Sequence, residues 1–237
     1  PRYRDVVAQG VKLTNSHAQA PAIADYVLAN VLAETWPVAA SRAAQAAGEW
    51  KRMPFRELGG THWLIIGLGE IGRAIAARAK GFGVKITGLN RTGHADPAAD
   101  ATGTLADLPR LLPVADVVIL AAARTDATTD LVNAKFVAAM KPGSILVNVA
   151  RGELVVDAAL LAGLDKGAPG LAILDAFREE PLPRSHPYWK HPKVRVTGHT
   201  SSSGTGTLAR ADNYFLENLR RFEKGEDLLS PVRADSF

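Results

Sequence analysis

The spacing of hydrophobic and polar residues divides the chain into two parts near residue 60. Before that point, residues 21–36 place apolar side chains three and four positions apart on a wide face, which predicts a largely buried helix. Beyond it, short, nearly continuous apolar runs alternate with stretches of helical period. Such runs are typical of parallel strands that are covered on both faces. The pattern therefore predicts an α/β fold, a doubly wound parallel sheet with helices on both faces.

Turn and cap residues set the bounds of the predicted elements. The predicted strands are 11–13, 62–67, 84–89, 115–121, 144–148, 171–174 and 194–196. The predicted helices are 2–9, 21–36, 71–82, 105–112, 130–140, 156–165 and 207–222, with an alanine-rich helix that ends at Trp50.

Composition and charge narrow the classes of function. The sequence of 237 residues has no cysteine, which excludes disulfides and thiolate metal sites and fits a reducing compartment, so we expect a cytoplasmic location and no metal. The net charge of +4 is spread along the chain, unlike the basic patch of a nucleic-acid binder. No apolar run reaches the roughly 20 residues that a membrane span needs. We therefore expect neither nucleic acid nor membrane as a partner.

A glycine-rich turn follows the apolar strand at 62–67 and opens the next helix. Gly67, Gly69 and Gly72 have the spacing G-x-G-x-x-G, with Glu70 and Ile71 before the last glycine. The first glycine permits a tight turn, the second lets a pyrophosphate approach the backbone, and the third allows close packing of helix and strand. The free N–H groups and the dipole of the helix favour an anion. This context predicts a dinucleotide cofactor.

The end of the second strand of this unit carries Asn90, Arg91 and Thr92. Folds that bind NAD commonly place an acidic residue there, where it accepts hydrogen bonds from the ribose hydroxyls. An arginine pairs instead with a 2′-phosphate, which an acid would repel. We therefore predict NADP as the preferred cofactor, with NAD as the alternative and a solvated loop residue as the plain explanation of Arg91.

Three further segments complete a set of motifs. Residues 144–153 read SILVNVARGE, residues 174–183 read LDAFREEPLP and residues 194–200 read VRVTGHT. Together with GLGEIG, and in this order, they closely resemble the D-isomer-specific 2-hydroxyacid dehydrogenases, in particular NADP-preferring members of the glyoxylate/hydroxypyruvate reductase type. The resemblance extends from about Asn15 to the C-terminus. It implies hydride transfer between a nicotinamide and a small 2-keto or 2-hydroxy acid.

The resemblance implies three catalytic residues: Arg151 in the N-x-x-R-G motif, Glu180 before Pro-Leu, and His199 after the last strand. A protonated histidine supplies the proton that the forming alkoxide needs, and a neighbouring glutamate favours the imidazolium. An arginine binds the substrate carboxylate and polarises the keto oxygen. Glu179 adjoins Glu180, and only the register against Pro181 favours the latter.

The same resemblance implies contacts to the cofactor. Asp175 would hold the nicotinamide carboxamide, with a turn or helix-cap role as its alternative, and the Val149 carbonyl would meet the same amide. The family usually has proline at Ala123 and often at Gly198, and neither change deletes a reacting group. The full set of expected cofactor contacts is Gly67, Gly69, Glu70, Ile71, Gly72, Asn90, Arg91, Thr92, Ala122, Thr128, Val149 and Asp175.

The resemblance also predicts domains and partners. Residues 16–203 would form the NAD(P)-binding domain, residues 1–15 a remnant of a substrate domain, and residues 204–237 a helix and tail that return to it. Because family members carry a further N-terminal part of that domain, we expect a chain that lacks it and a substrate pocket open on one side. The helix at 21–36 matches the dimerisation helix of the family, which implies a homodimer; a helix of the chain's own core is the alternative. Glyoxylate, hydroxypyruvate and phenylpyruvate-like acids are all compatible substrates.

Other classes share some of these features. The 3-hydroxyacid dehydrogenases pair a G-L-G-x-x-G turn with Asn-Arg-Thr, but their turn lies at the extreme N-terminus and a lysine transfers the proton. Short-chain reductases need Tyr-x-x-x-Lys, which none of the four tyrosines begins. A non-catalytic NAD(P)-binding module is a further alternative, and turnover of a keto acid distinguishes it from an enzyme.

Overall fold

One sheet of parallel strands forms the centre of the computed structural model, which describes residues 2–232, with side chains from residue 5 onward. The strands are β1 (His62–Ile66), β2 (Lys85–Leu89), β3 (Ala101–Gly103), β4 (Val117–Leu120), β5 (Ile145–Asn148), β6 (Leu171–Leu174) and β7 (Val194–Val196). Their order across the sheet is β3-β2-β1-β4-β5-β6-β7. The strand order therefore reverses between β1 and β4, as in doubly wound folds. The predicted fold class is confirmed.

Helices pack on both faces of the sheet. Alternate residues of β1 belong to different hydrophobic clusters, because successive side chains of a strand point to opposite faces. The helices are α1 (Arg2–Ala8), α2 (Ala20–Thr35), α3 (Val38–Ala46), α4 (Glu70–Lys80), α5 (Leu108–Leu111), α6 (Ala134–Ala139), α7 (Asp157–Lys166) and α8 (Thr207–Glu223). Leu64 and Ile66 pack with α5, α6 and α7, whereas Trp63 and Ile65 pack with α2 and α4.

Several element bounds differ from the prediction. Residues 11–13 are not a strand; among residues 2–232, the pairing found beside them is an isolated antiparallel bridge between Thr14 and Pro231. The helix expected to reach Trp50 ends at Ala46, and the Trp50 side chain is 96% exposed, so it gains nothing from packing. The edge strand β3 was not predicted, because its three residues form no apolar run.

Capping explains a shorter helix after β4. The predicted helix 130–140 begins only at Ala134, because the Asn133 side chain accepts hydrogen bonds from the N–H groups of Lys135 and Phe136. Residues 105–114 form two short 3-10 turns around the four-residue α5.

The two ends of the described chain lie together. The Asn15 N–H donates to the Ser230 carbonyl at 3.0 Å, and the Val232 N–H donates to the Leu13 carbonyl at 2.8 Å. Residues 1 and 233–237 of the two expected terminal segments lie outside the described residues. Within residues 2–232, no helix has both the length and the hydropathy needed to cross a membrane.

Candidate active site

Two positions of the glycine-rich turn after β1 have room for nothing but glycine. Gly67 has a φ of +102°, and a Cβ added there would overlap the backbone of Ala121 and Ala122 beyond β4. A Cβ on Gly72 would likewise overlap the Gly67 carbonyl oxygen. Both glycines therefore bring α4, β1 and β4 into closer contact than any side chain would permit, as the motif predicts.

Gly69 differs from its neighbours because open space lies above it. A Cβ added there would meet no atom within 4 Å, although Gly69 is the N-cap of α4 and has no side chain to cap the helix. The first N–H groups of a helix, here those of Glu70 and Ile71, have no acceptor within the helix. This cradle of backbone donors at a positive dipole end fits the pyrophosphate of a dinucleotide.

Asn90 folds the loop after β2. Its Oδ1 accepts hydrogen bonds from the N–H groups of Thr92 and Gly93 at 3.1 and 2.7 Å, and its Nδ2 donates to the His94 carbonyl at 2.8 Å. Arg91 is exposed, and no residue between 2 and 232 forms a hydrogen bond or ion pair with its guanidinium. The loop therefore offers a free arginine on a backbone fixed by Asn90.

Thr128 closes the loop after β4. The side chain is buried; its hydroxyl donates to the Ala123 carbonyl at 2.7 Å and accepts from the Thr125 N–H at 2.8 Å. The Ala122 backbone lies against Gly67, at the base of the glycine-rich turn. Thr128 thus shapes the wall beside the turn through its own loop.

The loop after β5 carries Arg151. Asn148 folds this loop, donating from Nδ2 to the Arg151 carbonyl at 3.0 Å and accepting from the Ala150 N–H at 3.0 Å. None of the described residues donates to the Val149 carbonyl, which leaves it free for a ligand. A Cβ on Gly152 would overlap the backbone of the loop after β6, so only glycine allows the two loops to pack together.

Glu180 and His199 form a direct pair. Oε1 and Oε2 of Glu180 lie 3.0 and 2.8 Å from Nδ1 of His199, and Oε1 also accepts the Phe177 N–H at 2.9 Å. Burial raises the pKa of Glu180, but hydrogen bonds from Phe177 and His199 outweigh it, so the pKa lies below its usual range. The Arg151 charge acts in the same direction. Glu179 makes no side-chain hydrogen bond among the described residues.

Asp175 holds the turn that carries His199. Its buried carboxylate accepts the Thr197 hydroxyl at 2.5 Å and the N–H groups of Thr200 and Ser201, each at 2.9 Å. Burial raises the pKa of Asp175, but the hydrogen bonds from Ser201 and Thr197 lower it below the usual range. The turn role considered for Asp175 is therefore visible in the structure, and contact with a carboxamide stays a prediction.

Sequence reasoning missed two contributors to this site. Gly152 was read only as part of a motif, and its close approach to the next loop was not foreseen. Tyr26 was considered only for a Tyr-x-x-x-Lys motif and not as part of this site; its hydroxyl lies 2.7 Å from that of Thr197, which is 171 positions away in the chain. No local pattern signals a contact over that separation.

The fold and the site together define an NAD(P)-binding oxidoreductase of the Rossmann type. The family model described as D-isomer specific 2-hydroxyacid dehydrogenase, NAD binding domain, matches residues 28–201. The chain belongs to this family, and it is an NAD(P)-dependent hydroxyacid dehydrogenase. The 3-hydroxyacid dehydrogenase alternative is therefore set aside.

Relatives and solved structures agree with this assignment. A glyoxylate reductase from Pyrococcus horikoshii is 34% identical over 232 residues, covering 94% of this chain and 69% of that protein. A D-isomer specific 2-hydroxyacid dehydrogenase from Xanthobacter autotrophicus Py2, solved in complex with NADPH and MES, has a TM-score of 0.82 and 32% identity over 95% of this chain and 93% of that chain. A D-isomer specific 2-hydroxyacid dehydrogenase family protein from Aeromonas salmonicida has a TM-score of 0.85 and 34% identity, and the match covers 94% of this chain and 72% of that chain.

Proposed function

We propose that the chain reduces small 2-keto acids with NADPH and catalyses the reverse oxidation of 2-hydroxy acids. The observation that carries this proposal is the Glu180–His199 pair at the carboxyl edge of the sheet, where the positive charge of Arg151 also lowers the pKa of Glu180. In open α/β sheets, ligands bind at this edge, close to the point where the strand order reverses.

His199 is the proposed proton donor. Its Nδ1 is engaged by Glu180, which leaves Nε2 to face the substrate oxygen. As the keto carbon gains its hydride, the proton on Nε2 passes to the oxygen, so that no free alkoxide accumulates. The ionised Glu180 stabilises the imidazolium and fixes the ring.

Arg151 is the proposed substrate-binding residue. Its guanidinium is exposed on the loop after β5, and one nitrogen already donates to the Ala150 carbonyl at 2.7 Å. The remaining donors suit a carboxylate, which a guanidinium binds in a bidentate manner, and they polarise the adjoining keto oxygen.

The cofactor supplies the hydride when it is bound. The glycine-rich turn would hold the pyrophosphate against the start of α4, since the open space above Gly69 fits it. The residues of this turn are Gly67, Gly69, Glu70, Ile71 and Gly72. The free Val149 carbonyl would accept a hydrogen bond from the carboxamide, with Asp175 nearby. Ala122 and Thr128 would line the adjacent wall.

Preference for NADP rests on the loop after β2. Arg91 has no partner among the described residues, and Asn90 and Thr92 form the turn beneath it. A guanidinium without a competing carboxylate suits the 2′-phosphate. The NADPH complex of the Xanthobacter autotrophicus relative supports this choice, and NAD is the alternative.

Substrate and assembly complete the proposal. The relative named glyoxylate reductase supports a small acid such as glyoxylate as the substrate.

We propose a homodimer through α2, whose outer side carries the exposed Ala29 and Ala33 and leads to the exposed Trp36. Small residues on a helix allow close approach of a second copy.

The test is cofactor titration followed by a screen of keto acids. We expect tighter binding of NADPH than of NADH, and NADPH oxidation with glyoxylate, hydroxypyruvate or phenylpyruvate. Arg91→Ala should weaken NADPH binding about tenfold or more and leave NADH binding within about twofold, since it removes a charge-assisted contact to the 2′-phosphate. Arg110→Ala, at an exposed arginine paired with Asp107, is the control.

Two outcomes would contradict the proposal in different ways. Tighter NADH binding by the unmodified protein would overturn the role of Arg91 and leave the family assignment intact. Cofactor binding without turnover of any of the three acids would instead favour the non-catalytic module.

A further inference from the structure

We propose that Tyr26 of α2 is a positioning residue for His199, acting through a chain of hydrogen bonds that runs by way of Thr197 and Asp175. The inference rests on the proposed function, in which His199 donates the proton. It adds a residue that lies outside every motif of the sequence.

The direction of each hydrogen bond in the chain is fixed. Thr197 Oγ1 lies 2.5 Å from Asp175 Oδ1, and Tyr26 Oη lies 2.7 Å from Thr197 Oγ1. An ionised carboxylate only accepts, so Thr197 gives its single proton to Asp175. Tyr26 must then donate to Thr197. Burial raises the pKa of Tyr26 to about 12, so this hydroxyl keeps its proton at neutral pH.

The chain ends at the residues that follow His199. Asp175 accepts the N–H groups of Thr200 and Ser201, and His199 itself has a φ of +52°. A side-chain-bearing residue keeps this left-handed conformation only where its surroundings fix it. Gly198 adds no restraint, because a Cβ there would meet nothing within 4 Å. Glu180 fixes the imidazole ring, whereas the backbone turn that carries His199 is held by Asp175 and by what holds Asp175.

Tyr26 is well placed to stabilise this turn. It extends from a helix whose buried side packs in the core through Val27 and Val31. A separate ion pair joins Glu34 of the same helix to Arg195 of β7, at 2.6 and 2.9 Å. Because the Glu34–Arg195 ion pair does not involve Tyr26, loss of the Tyr26 hydroxyl should leave α2 in place. The Thr197 hydroxyl would lose its donor and become free to rotate away from Asp175.

The experiment compares Tyr26→Phe with the unmodified chain. We expect kcat for keto-acid reduction to fall about five- to tenfold, with the Kd for NADPH within about twofold. Hydrogen exchange of the Thr200 and Ser201 amides should accelerate about fivefold, the ratio expected when one ordinary hydrogen bond is weakened. Tyr214→Phe is the matched control, because it removes a tyrosine hydroxyl that donates to the Ser230 hydroxyl at 2.6 Å, away from this turn.

Substitutions at Thr197 test the connection itself. Thr197→Val should reproduce or exceed the effect of Tyr26→Phe, and Thr197→Ser, which keeps the hydroxyl, should restore most of kcat. The double variant Tyr26→Phe/Thr197→Val should be no slower than Thr197→Val alone, because both changes break one chain. Additive losses would show that Tyr26 acts elsewhere.

The outcomes separate this inference from the proposed function. If the unmodified chain turns over a keto acid and Tyr26→Phe matches it in kcat, the positioning role is wrong while the function stands. If the unmodified chain has no turnover, the proposed function fails, and amide exchange still decides the positioning role: unchanged exchange in Tyr26→Phe overturns it.

Discussion

At the scale of single residues, the site is built from side chains that also fold their own loops. Glu180 accepts the Phe177 N–H with the same Oε1 that faces His199. Asn90 and Thr128 are expected as cofactor contacts, and their side-chain polar atoms form hydrogen bonds within their own loops. A polar residue in such a motif therefore acts first on the backbone, and the backbone presents the ligand-binding groups.

Glu180→Gln tests the electrostatic role of this carboxylate. The variant keeps the size of the side chain and an oxygen for the Phe177 N–H, but it removes the charge beside His199. We expect kcat/KM for keto-acid reduction to fall about 100-fold, the scale of general acid catalysis.

Glu179→Gln is the matched control for this prediction. Its side chain is exposed and adjoins Glu180 in the sequence, so loss of its charge should leave kcat/KM unchanged. Equal effects of the two substitutions would show that long-range charge, and not the contact with His199, is responsible.

At the scale of elements, glycines decide how closely loops and helices approach. Gly152 lies against the backbone of Phe177 and Arg178, whereas Gly69 faces open space. The first position serves the packing of the loops after β5 and β6. The second leaves room for a ligand at the start of α4.

Alanine substitutions should separate these two roles. Gly152→Ala should lower the free energy of unfolding by about 1–3 kcal/mol, because the added Cβ forces backbone segments apart. Gly69→Ala should change it by less than about 0.5 kcal/mol and weaken NADPH binding about tenfold or more, since the Cβ blocks the pyrophosphate. Denaturant unfolding and cofactor titration measure the two effects. A stable Gly152→Ala protein or an unaffected Kd in Gly69→Ala would count against this division.

At the scale of the whole molecule, α2 connects the core, the site and an outer surface. Its inner side packs on α4 and β1, and Tyr26 reaches the turn after β7. Near its end, Trp36 lines a surface groove with Phe55 and Phe82, and all three aromatic side chains are exposed. Exposed aromatic residues around a groove are typical of interaction sites.

Light scattering tests the homodimer. We expect twice the chain mass at micromolar concentration, and we expect Ala33→Glu to yield monomers because it places a charge on the outer side of α2. Ala39→Glu, at an exposed alanine of α3, should leave the mass unchanged. If the unmodified chain has the mass of a monomer, α2 serves only the core of its own chain, and the homodimer proposal is wrong.

Local patterns made much of the fold predictable. The strands of the sheet interior contain runs of three or four consecutive apolar residues, such as Val117–Leu120 and residues 145–147, and such runs identify buried parallel strands without knowledge of their neighbours. The edge strand β3 has no such run. It pairs with Thr87–Leu89 of β2 only because the chain after β2 folds back alongside that strand. The glycine-rich turn was equally local, since Gly67 and Gly72 lie within one loop and one helix turn.

The sequence by itself determined the α/β class, the cofactor turn and, through resemblance, the three candidate catalytic residues. Only the tertiary structure decided that Glu180 and not Glu179 meets His199, and that Asp175 holds the turn beside it. It alone showed the reach of Tyr26 to Thr197. The physical reason is that periodicity and turn chemistry act over a few residues, whereas these contacts join segments whose distance is set by the packing of helices on the sheet.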